Sequence, residues 1–518
     1  MPASIDVRMV ALVYGIVLIV GIGLAVRLGL CGLPCPTSDD AWYRSPAAEL
    51  VQNGRMAIPS TGSLLPRTQV TFACYPPLYQ LLLSGWYWLF GFSQRTSLAF
   101  SYAVHLLNAL GVMVATRRAV AVDSDLTALA RGATIAAVGL MQVANLAYFD
   151  RPEETALLWI WMDVLWVQGM GLRHALASGV LLGLAGLTSP WVGILGAMLV
   201  TVRMLLPMVG QGEAGSHPFS PPQTTRGRPS PTGPRRHGTL TGSTRTGLRL
   251  SATALVAATL VGSWVVVSET KYPGIIHDQF FGVMRHIARG QGPPSFEKNL
   301  RQFSDALLFN RPQLLPMVLT LVLFPLLCLR TGWRRVPAAL LAQFVAGVCG
   351  IGTIAILRPI AYTYLGAAQI LLLPCFGSAI SQYLRGPPAA MRLGLGILAL
   401  CTAFTFKQAT ALVASSLTLP QAERCDEVYH RLTTIIPPGE LVDITGRHWY
   451  CFQGRNPWYE VYFLRDNPGD LLRARWMVLP IGRGTPGCID AFDLVEEIAT
   501  TADPQRTYAY SLWRRSGR

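Results

Sequence analysis

Eleven apolar stretches run along the chain, separated by polar connections rich in proline, glycine and arginine. They lie at 9–29, 97–116, 132–149, 153–170, 175–189, 190–206, 249–267, 314–330, 337–357, 360–384 and 392–412. At about 1.5 Å per helical residue, roughly twenty apolar residues cross a hydrocarbon core of about 30 Å. The pattern predicts an all-α polytopic membrane protein with about eleven spans. A further apolar run, 78–90, is short for a span and groups Trp86, Tyr87 and Trp88. Such aromatics favour the membrane interface, so this run is expected to lie along the surface as a juxtamembrane helix.

The last hundred residues change period. AERCDEVYHRLTTII reads as an amphipathic helix, ELVDIT as a strand, RWMVLPIG as a second strand, DAFDLVEEIA as a helix and TYAYSLWRR as a last strand. Alternation of helical and period-two patterns predicts a small α/β domain. The expected division is a transmembrane domain at 1–412 and this α/β domain at 413–518.

Composition agrees: 51% of the 518 residues are hydrophobic and 14% charged, too apolar for a soluble chain of this length. A net charge of +15 draws attention to nucleic acid. The basic residues, however, fall in short clusters between apolar runs, which is the positive-inside signature of membrane orientation. If 78–90 does not cross, Arg117-Arg118, Arg173, the loop 207–248, Arg330, Arg334, Arg335, Arg385 and Arg392 share one side with Arg8. That solution puts the N-terminus in the cytoplasm and the C-terminal domain outside, in the inner (plasma) membrane of a bacterium. Loop 207–248 has almost no apolar content and is expected to be a disordered cytoplasmic tether. Cys31, Cys35, Cys74, Cys425, Cys451 and Cys488 fall in polar segments; on an oxidising face they form up to three disulfides or remain free thiols.

Two acidic groups meet on the outer face in this topology. Asp39 and Asp40 are adjacent just past the first apolar run, and two neighbouring carboxylates require a cation, a proton or a metal. Phe149-Asp150-Arg151-Pro152-Glu153-Glu154 joins two later spans. Glu153 and Glu154 suit a helix N-terminus opened by Pro152, which accounts for one acid. Three acids around one arginine, facing another acid pair, point further, to a general base or to a divalent cation such as Mg or Mn held by Asp39, Asp40 and Glu153.

Asp39-Asp40-Ala41-Trp42-Tyr43 resembles the D-[DE]-x-x-Y motif in the first external loop of GT-C fold glycosyltransferases, the protein O-mannosyltransferase and lipid A aminoarabinose transferase group. Gly54, Tyr75-Pro76-Pro77-Leu78-Tyr79 and Phe90-Gly91 resemble that family's juxtamembrane sequence. Tyr148 to Glu153 is similar to its second-loop R-P-[DE] pattern. Gly183 to Pro190 is similar to its GLAxLTKP segment, with Ser189 where lysine is usual. The resemblance implies a polyprenyl-phosphate sugar donor, transfer to a hydroxyl of a glycan, lipid or protein acceptor, and Asp39 as the base that takes the hydroxyl proton. Asp40 and Glu153 then orient the acceptor or a cation, with Tyr43, Tyr79 and Asp150 in the substrate site.

A departing lipid phosphate needs cations near the outer surface. Arg151 is one, Arg285 another, with His286 and Arg289 close by. Arg358 heads Arg358-Pro359-Ile360-Ala361-Tyr362-Thr363-Tyr364, where the family places a basic residue and tyrosines such as Tyr362 near the donor phosphate; the alternative is an arginine snorkelling at a helix end. Asp163 and His105 fall inside apolar runs, as a satisfied polar pair between helices or as a proton route. Two other classes compete with a membrane glycosyltransferase: a transporter or lipid flippase, and a non-enzymatic envelope assembly protein.

Overall fold

The computed structural model describes residues 3–34, 38–58, 67–121, 127–148, 151–167, 171–210, 242–282, 314–357, 362–418, 426–444, 449–460, 474–480, 491–498 and 510–516. Each of the eleven apolar runs forms a helix. They are α1 (Ala3–Leu30), α4 (Gln94–Ala121), α5 (Ala128–Val143), α6 (Pro152–Trp166), α7 (Leu172–Thr188), α8 (Pro190–Gly210), α9 (Gly242–Lys271), α10 (Leu314–Thr331), α11 (Ala338–Leu357), α12 (Tyr362–Leu384) and α13 (Pro388–Thr418). Two polar-region helices, α2 (Ser38–Asn53) and α3 (Leu78–Phe90), stand between α1 and α4.

Seven of these helices are long and apolar enough to cross a membrane: α1, α4, α5, α9, α10, α12 and α13. The chain is an integral membrane protein. Of the others, α6 has 15 residues and α7 has 17. Helix α3, with 13 residues, spans about 20 Å. The long connection after α8 is shorter than its composition predicts, because α8 reaches Gly210 and α9 starts at Gly242. Residues 211–241 lie outside the described residues.

Helix α12 is the axis of the bundle. Its span is 89% buried, against 6% for α9 and 22% for α1 and α13, and it packs on α4, α5, α10, α11 and α13. Helix α9 stands at the periphery, held mainly by α7. Small residues explain that contact. A Cβ on Gly179 would meet the Thr253 carbonyl oxygen at 2.8 Å, and one on Gly183 would meet Leu260 Cδ1 at 2.5 Å. Close approach through small residues is how apolar helices associate without a hydrophobic drive between them.

Beyond α13 come helices α14 (Asp426–Ile435) and α15 (Trp449–Phe452) and a five-stranded sheet ordered β2-β1-β3-β5-β4. The strands are β1 (Val442–Ile444), β2 (Trp458–Glu460), β3 (Trp476–Pro480), β4 (Phe492–Ile498) and β5 (Tyr510–Arg515). β1 runs parallel to β2 and β3, and β5 is antiparallel to β3 and β4. The stretch expected to be a helix, DAFDLVEEIA, is instead the edge strand β4. Its pairing with β5, interrupted by a bulge at Leu494/Glu496, outweighs the helix propensity of its Leu and Glu residues.

One apolar core lies inside the bundle; a second joins the sheet domain to the bundle's end. The second contains Trp42, Tyr43 and Ala47 of α2, Tyr79 and Leu83 of α3, Phe100 of α4, and Val428, Trp449, Phe452 and Trp458 from the C-terminal domain. Phe92, in the turn before α4, stacks on Tyr450 with centroids 5.7 Å apart and leans on Trp449 at 5.6 Å. Gln453 Nε2 reaches Glu49 of α2 at 3.4 Å. Each fully buried large apolar side chain contributes about 1.5–3 kcal/mol, so this shared core fixes the domain on α2.

Candidate active site

One face of α4 organises the site. Ser97, Ser101, His105 and Asn108 follow at intervals of four, four and three, which aligns them along one side of a helix, and all are buried. They grip two different segments. Ser97 and Ser101 hold α2: Arg44 donates from Nη1 to the Ser97 carbonyl at 3.1 Å and from Nη2 to Ser101 Oγ at 2.8 Å. His105 and Asn108 hold the link from α5 to α6. His105 Nε2 lies 3.2 Å from the Tyr148 carbonyl oxygen, and Asn108 donates to the Glu154 carbonyl at 2.9 Å. Asn108 also accepts from Trp161 Nε1 at 3.1 Å, and Gly111 lets that indole lie against α4.

Helix α2 opens at Ser38-Asp39-Asp40, a polar first turn in which carboxylates complement the unpaired N–H groups. The backbone of Asp39 is in this turn; its side chain lies outside the described residues. Asp40 is 4% exposed, and its Oδ1 is 3.7 Å from Arg44 Nε one turn along the helix. Arg44 itself is wholly buried.

Tyr43 carries the chain of contacts to the second acidic segment. Its hydroxyl accepts from Arg151 Nη2 at 2.6 Å and lies 3.2 Å from the Tyr75 hydroxyl. The Arg151 guanidinium also sits over the Tyr43 ring, 4.9 Å from its centre. Arg151 Nε is 3.6 Å from Oε2 of Glu153, which is fully buried. Arg151 caps α6, and its backbone N–H donates to Glu154 Oε2 at 2.8 Å, the N-terminal half of a capping box. Glu154 thus serves the helix end, while Glu153 faces the arginine.

Tyr79 is packed away in the junction core, edge-on to Phe100. Helix α12 begins at Tyr362, whose side chain lies outside the described residues. A Cβ on Gly366, one turn later, would stand 3.5 Å from Glu154 Oε1, so α12 starts at the same end of the bundle as α6. Asp150, Arg285, His286, Arg289 and Arg358 lie outside the described residues. Among the described residues no three His, Cys, Asp or Glu side chains converge as metal ligands. Asp40 and Glu153 each face an arginine, and the third candidate ligand, the Asp39 side chain, lies outside the described residues.

Asp163 is a satisfied pair. Arg203 Nη1 is 2.9 Å from its Oδ2, and Ser178 Oγ donates to its Oδ1 at 2.5 Å. Cys31 and Cys74 are free thiols; Cys35, Cys425 and Cys488 lie outside the described residues. Burial pushes the Cys74 and Cys451 thiols well above the usual range; burial likewise raises the Tyr450 phenol, with Tyr87, Arg44, Asp40 and Ser97 around it.

The polar stripe of α4 escaped the sequence reading except for His105. Its signal was present as the four-four-three spacing inside an apolar run. Arg44 had no such signal, since an arginine directly after a motif reads as a solvated charge.

No family model matches the chain, and no curated protein sequence matches it. Solved structures do. The crystal structure of ArnT from Cupriavidus metallidurans bound to undecaprenyl phosphate superposes with a TM-score of 0.58 over 97% of this chain and 98% of that one, at 13% identity. The chain has the GT-C fold of that protein.

Proposed function

We propose that this protein is an integral membrane glycosyltransferase that moves a sugar from a polyprenyl phosphate to an acceptor hydroxyl on the extracytoplasmic face. The observation that carries the reading is Arg151, held by Tyr43 and Glu153 beside the acid-bearing helix α2, within a fold shared with a protein that binds undecaprenyl phosphate. Asp39 takes the acceptor proton as the hydroxyl oxygen attacks the anomeric carbon. The bond from that carbon to the phosphate oxygen breaks, and the lipid phosphate leaves with its electron pair. A hydroxyl is a poor nucleophile, and a positioned carboxylate contributes about 10²–10⁴-fold. Arg151, Arg285 and Arg358 supply cations for the leaving phosphate, with Tyr43, Tyr362 and Asp150 around the sugar. No step here is routed through a metal.

The same reading places residues 1–412 in the membrane with eleven crossings, the N-terminus in the cytoplasm and 413–518 outside. The acceptor is a hydroxyl of an envelope glycan, lipid or protein. A transporter gains nothing from Asp163, whose carboxylate is held by Arg203 and Ser178.

The test is turnover in lipid nanodiscs, with a panel of polyprenyl-phosphate sugars as donors and release of lipid phosphate as the signal. Asp39→Asn keeps the size and loses the proton acceptor. Its kcat should fall by about two to four decades with donor KM little changed. A folded Asp39→Asn protein within threefold of wild type removes Asp39 from catalysis.

A further inference from the structure

We infer that Arg44 is a positioning residue that separates the roles of the two adjacent acids: it engages Asp40 in a buried ion pair and locks the acid-bearing turn of α2 to α4. The inference rests, for its catalytic half, on the glycosyltransferase reading. Asp40 and Arg44 are one turn apart, the spacing at which side chains on a helix meet. Both are inaccessible, at 4% and 0% exposure. A guanidinium has five donors in a rigid fork and no acceptor. Here that fork donates to the Ser97 carbonyl through Nη1 and to Ser101 Oγ through Nη2, and its Nε stands 3.7 Å from Asp40 Oδ1, an ion pair longer than a hydrogen bond. All three nitrogens are therefore directed at groups on α2 or α4.

The consequence runs along α4. Ser97 and Ser101 fix α2 through Arg44, and His105 and Asn108, further along the same stripe, fix the backbone at Tyr148 and Glu154. A single rigid helix thereby sets the separation between the turn that carries Asp39 and the turn that carries Arg151 and Glu153. The C-terminal domain closes over the pair. Tyr450, stacked on Phe92 in the turn before α4, packs into the same buried core as Tyr43 of α2 and Tyr87 of α3. Tyr87 occupies Ser97 Oγ at 2.6 Å. The domain is in this way part of the frame of the site. Neutralising Asp40 leaves a buried guanidinium underpaired, and truncating Arg44 leaves a buried carboxylate in the same position. The two changes should do the same damage, and do it once.

The experiment uses the full chain in nanodiscs, comparing wild type with Asp40→Asn, Arg44→Gln, the double variant and Arg44→Lys. Initial rates are taken against donor concentration, and amide hydrogen exchange is followed in α2 and in β3. Each single variant should lower kcat about ten- to a hundredfold, with donor KM unchanged. The double variant should match the worse single, and Arg44→Lys, which keeps the charge beside Asp40 but not the fork, should recover only part of the rate. Exchange in residues 40–53 should accelerate in both singles while β3 stays protected. Effects of the two singles that multiply in the double overturn the pairing, as does wild-type kcat in a folded Arg44→Gln. Where Arg44→Gln does not fold, Ser101→Ala removes one of its acceptors and should lower kcat about two- to fivefold; an unchanged rate there overturns the inference. If wild type turns over no donor, the transferase reading fails alone, and exchange in α2 decides the pairing: no acceleration in Asp40→Asn overturns it.

Discussion

Helix α6 carries a buried carboxylate near each end, and the two are held in opposite ways. Asp163, near its C-terminus, sits in a closed triad. Arg203 approaches both of its oxygens, at 2.9 Å and 3.2 Å, Ser178 donates at 2.5 Å, and Arg203 Nη2 also reaches Ser178 Oγ at 3.1 Å. Glu153, at the N-terminus, stands 3.6 Å from Arg151 Nε, beyond hydrogen-bond length. The same guanidinium turns its Nη2 to Tyr43 and its face to the Tyr43 ring. One arginine closes on an acid and ties α6, α7 and α8 together. The other is shared among an acid, a phenol and a π-face from two separate segments. The first arrangement serves the fold. The second keeps charge where two segments meet, as the proposed transferase requires.

Breaking the closed pair gives the largest expected effect. Arg203→Ala leaves the Asp163 charge buried without its cation, and removing one partner of a buried pair typically costs about 3–5 kcal/mol. The unfolding midpoint in detergent should drop accordingly, and activity should fall only in proportion to the folded fraction. Loss of activity at full stability would reverse the comparison and give Asp163 a part in function.

Glu153→Gln tests the other end and should do the reverse. Stability should fall less than in Arg203→Ala, because the Arg151–Glu153 contact is longer than a hydrogen bond and Arg151 keeps the Tyr43 hydroxyl and ring. Turnover should fall about ten- to a hundredfold, or roughly 1.4–2.8 kcal/mol of barrier. A Glu153→Gln protein that unfolds early and turns over normally would make the pair structural like its counterpart.

The sequence shows the two ends unequally. Arg151-Pro152-Glu153 announces itself because charge, proline and acid are contiguous at a helix start, and the helix does start at Pro152. Asp163 and Arg203 are separated by forty positions, so nothing local links them; only packing of α6 on α8 does. The same division holds elsewhere. The eleven apolar helices and α3 were legible from apolar runs, since length and apolarity are local properties; α2, in a polar stretch, was not. β4 was not, since FDLVEEI becomes a strand through Tyr510–Arg515, and β2 was missed because three residues carry no period. Arg44 was hidden for a related reason: its acceptors, Ser97 and Ser101, lie more than fifty positions away.

The smallest change sharpens the contrast most finely. Ser178→Ala removes the hydroxyl that donates to Asp163 Oδ1 and accepts from Arg203 Nη2, and leaves the ion pair in place. Hydrogen bonds to charged groups contribute about 1.5–3 kcal/mol, but here the guanidinium still reaches both carboxylate oxygens and no charge loses its counter-ion. The net loss should therefore be about 1 kcal/mol, well below that of Arg203→Ala. In the Arg203→Ala background the same hydroxyl is the remaining donor to Asp163 among these three residues, so Ser178→Ala should cost more there than alone. That non-additivity is the signature of a closed triad. Equal costs in the two backgrounds would mean that Ser178 and Arg203 act independently, and the tight end of α6 would lose its claim to being a single structural unit.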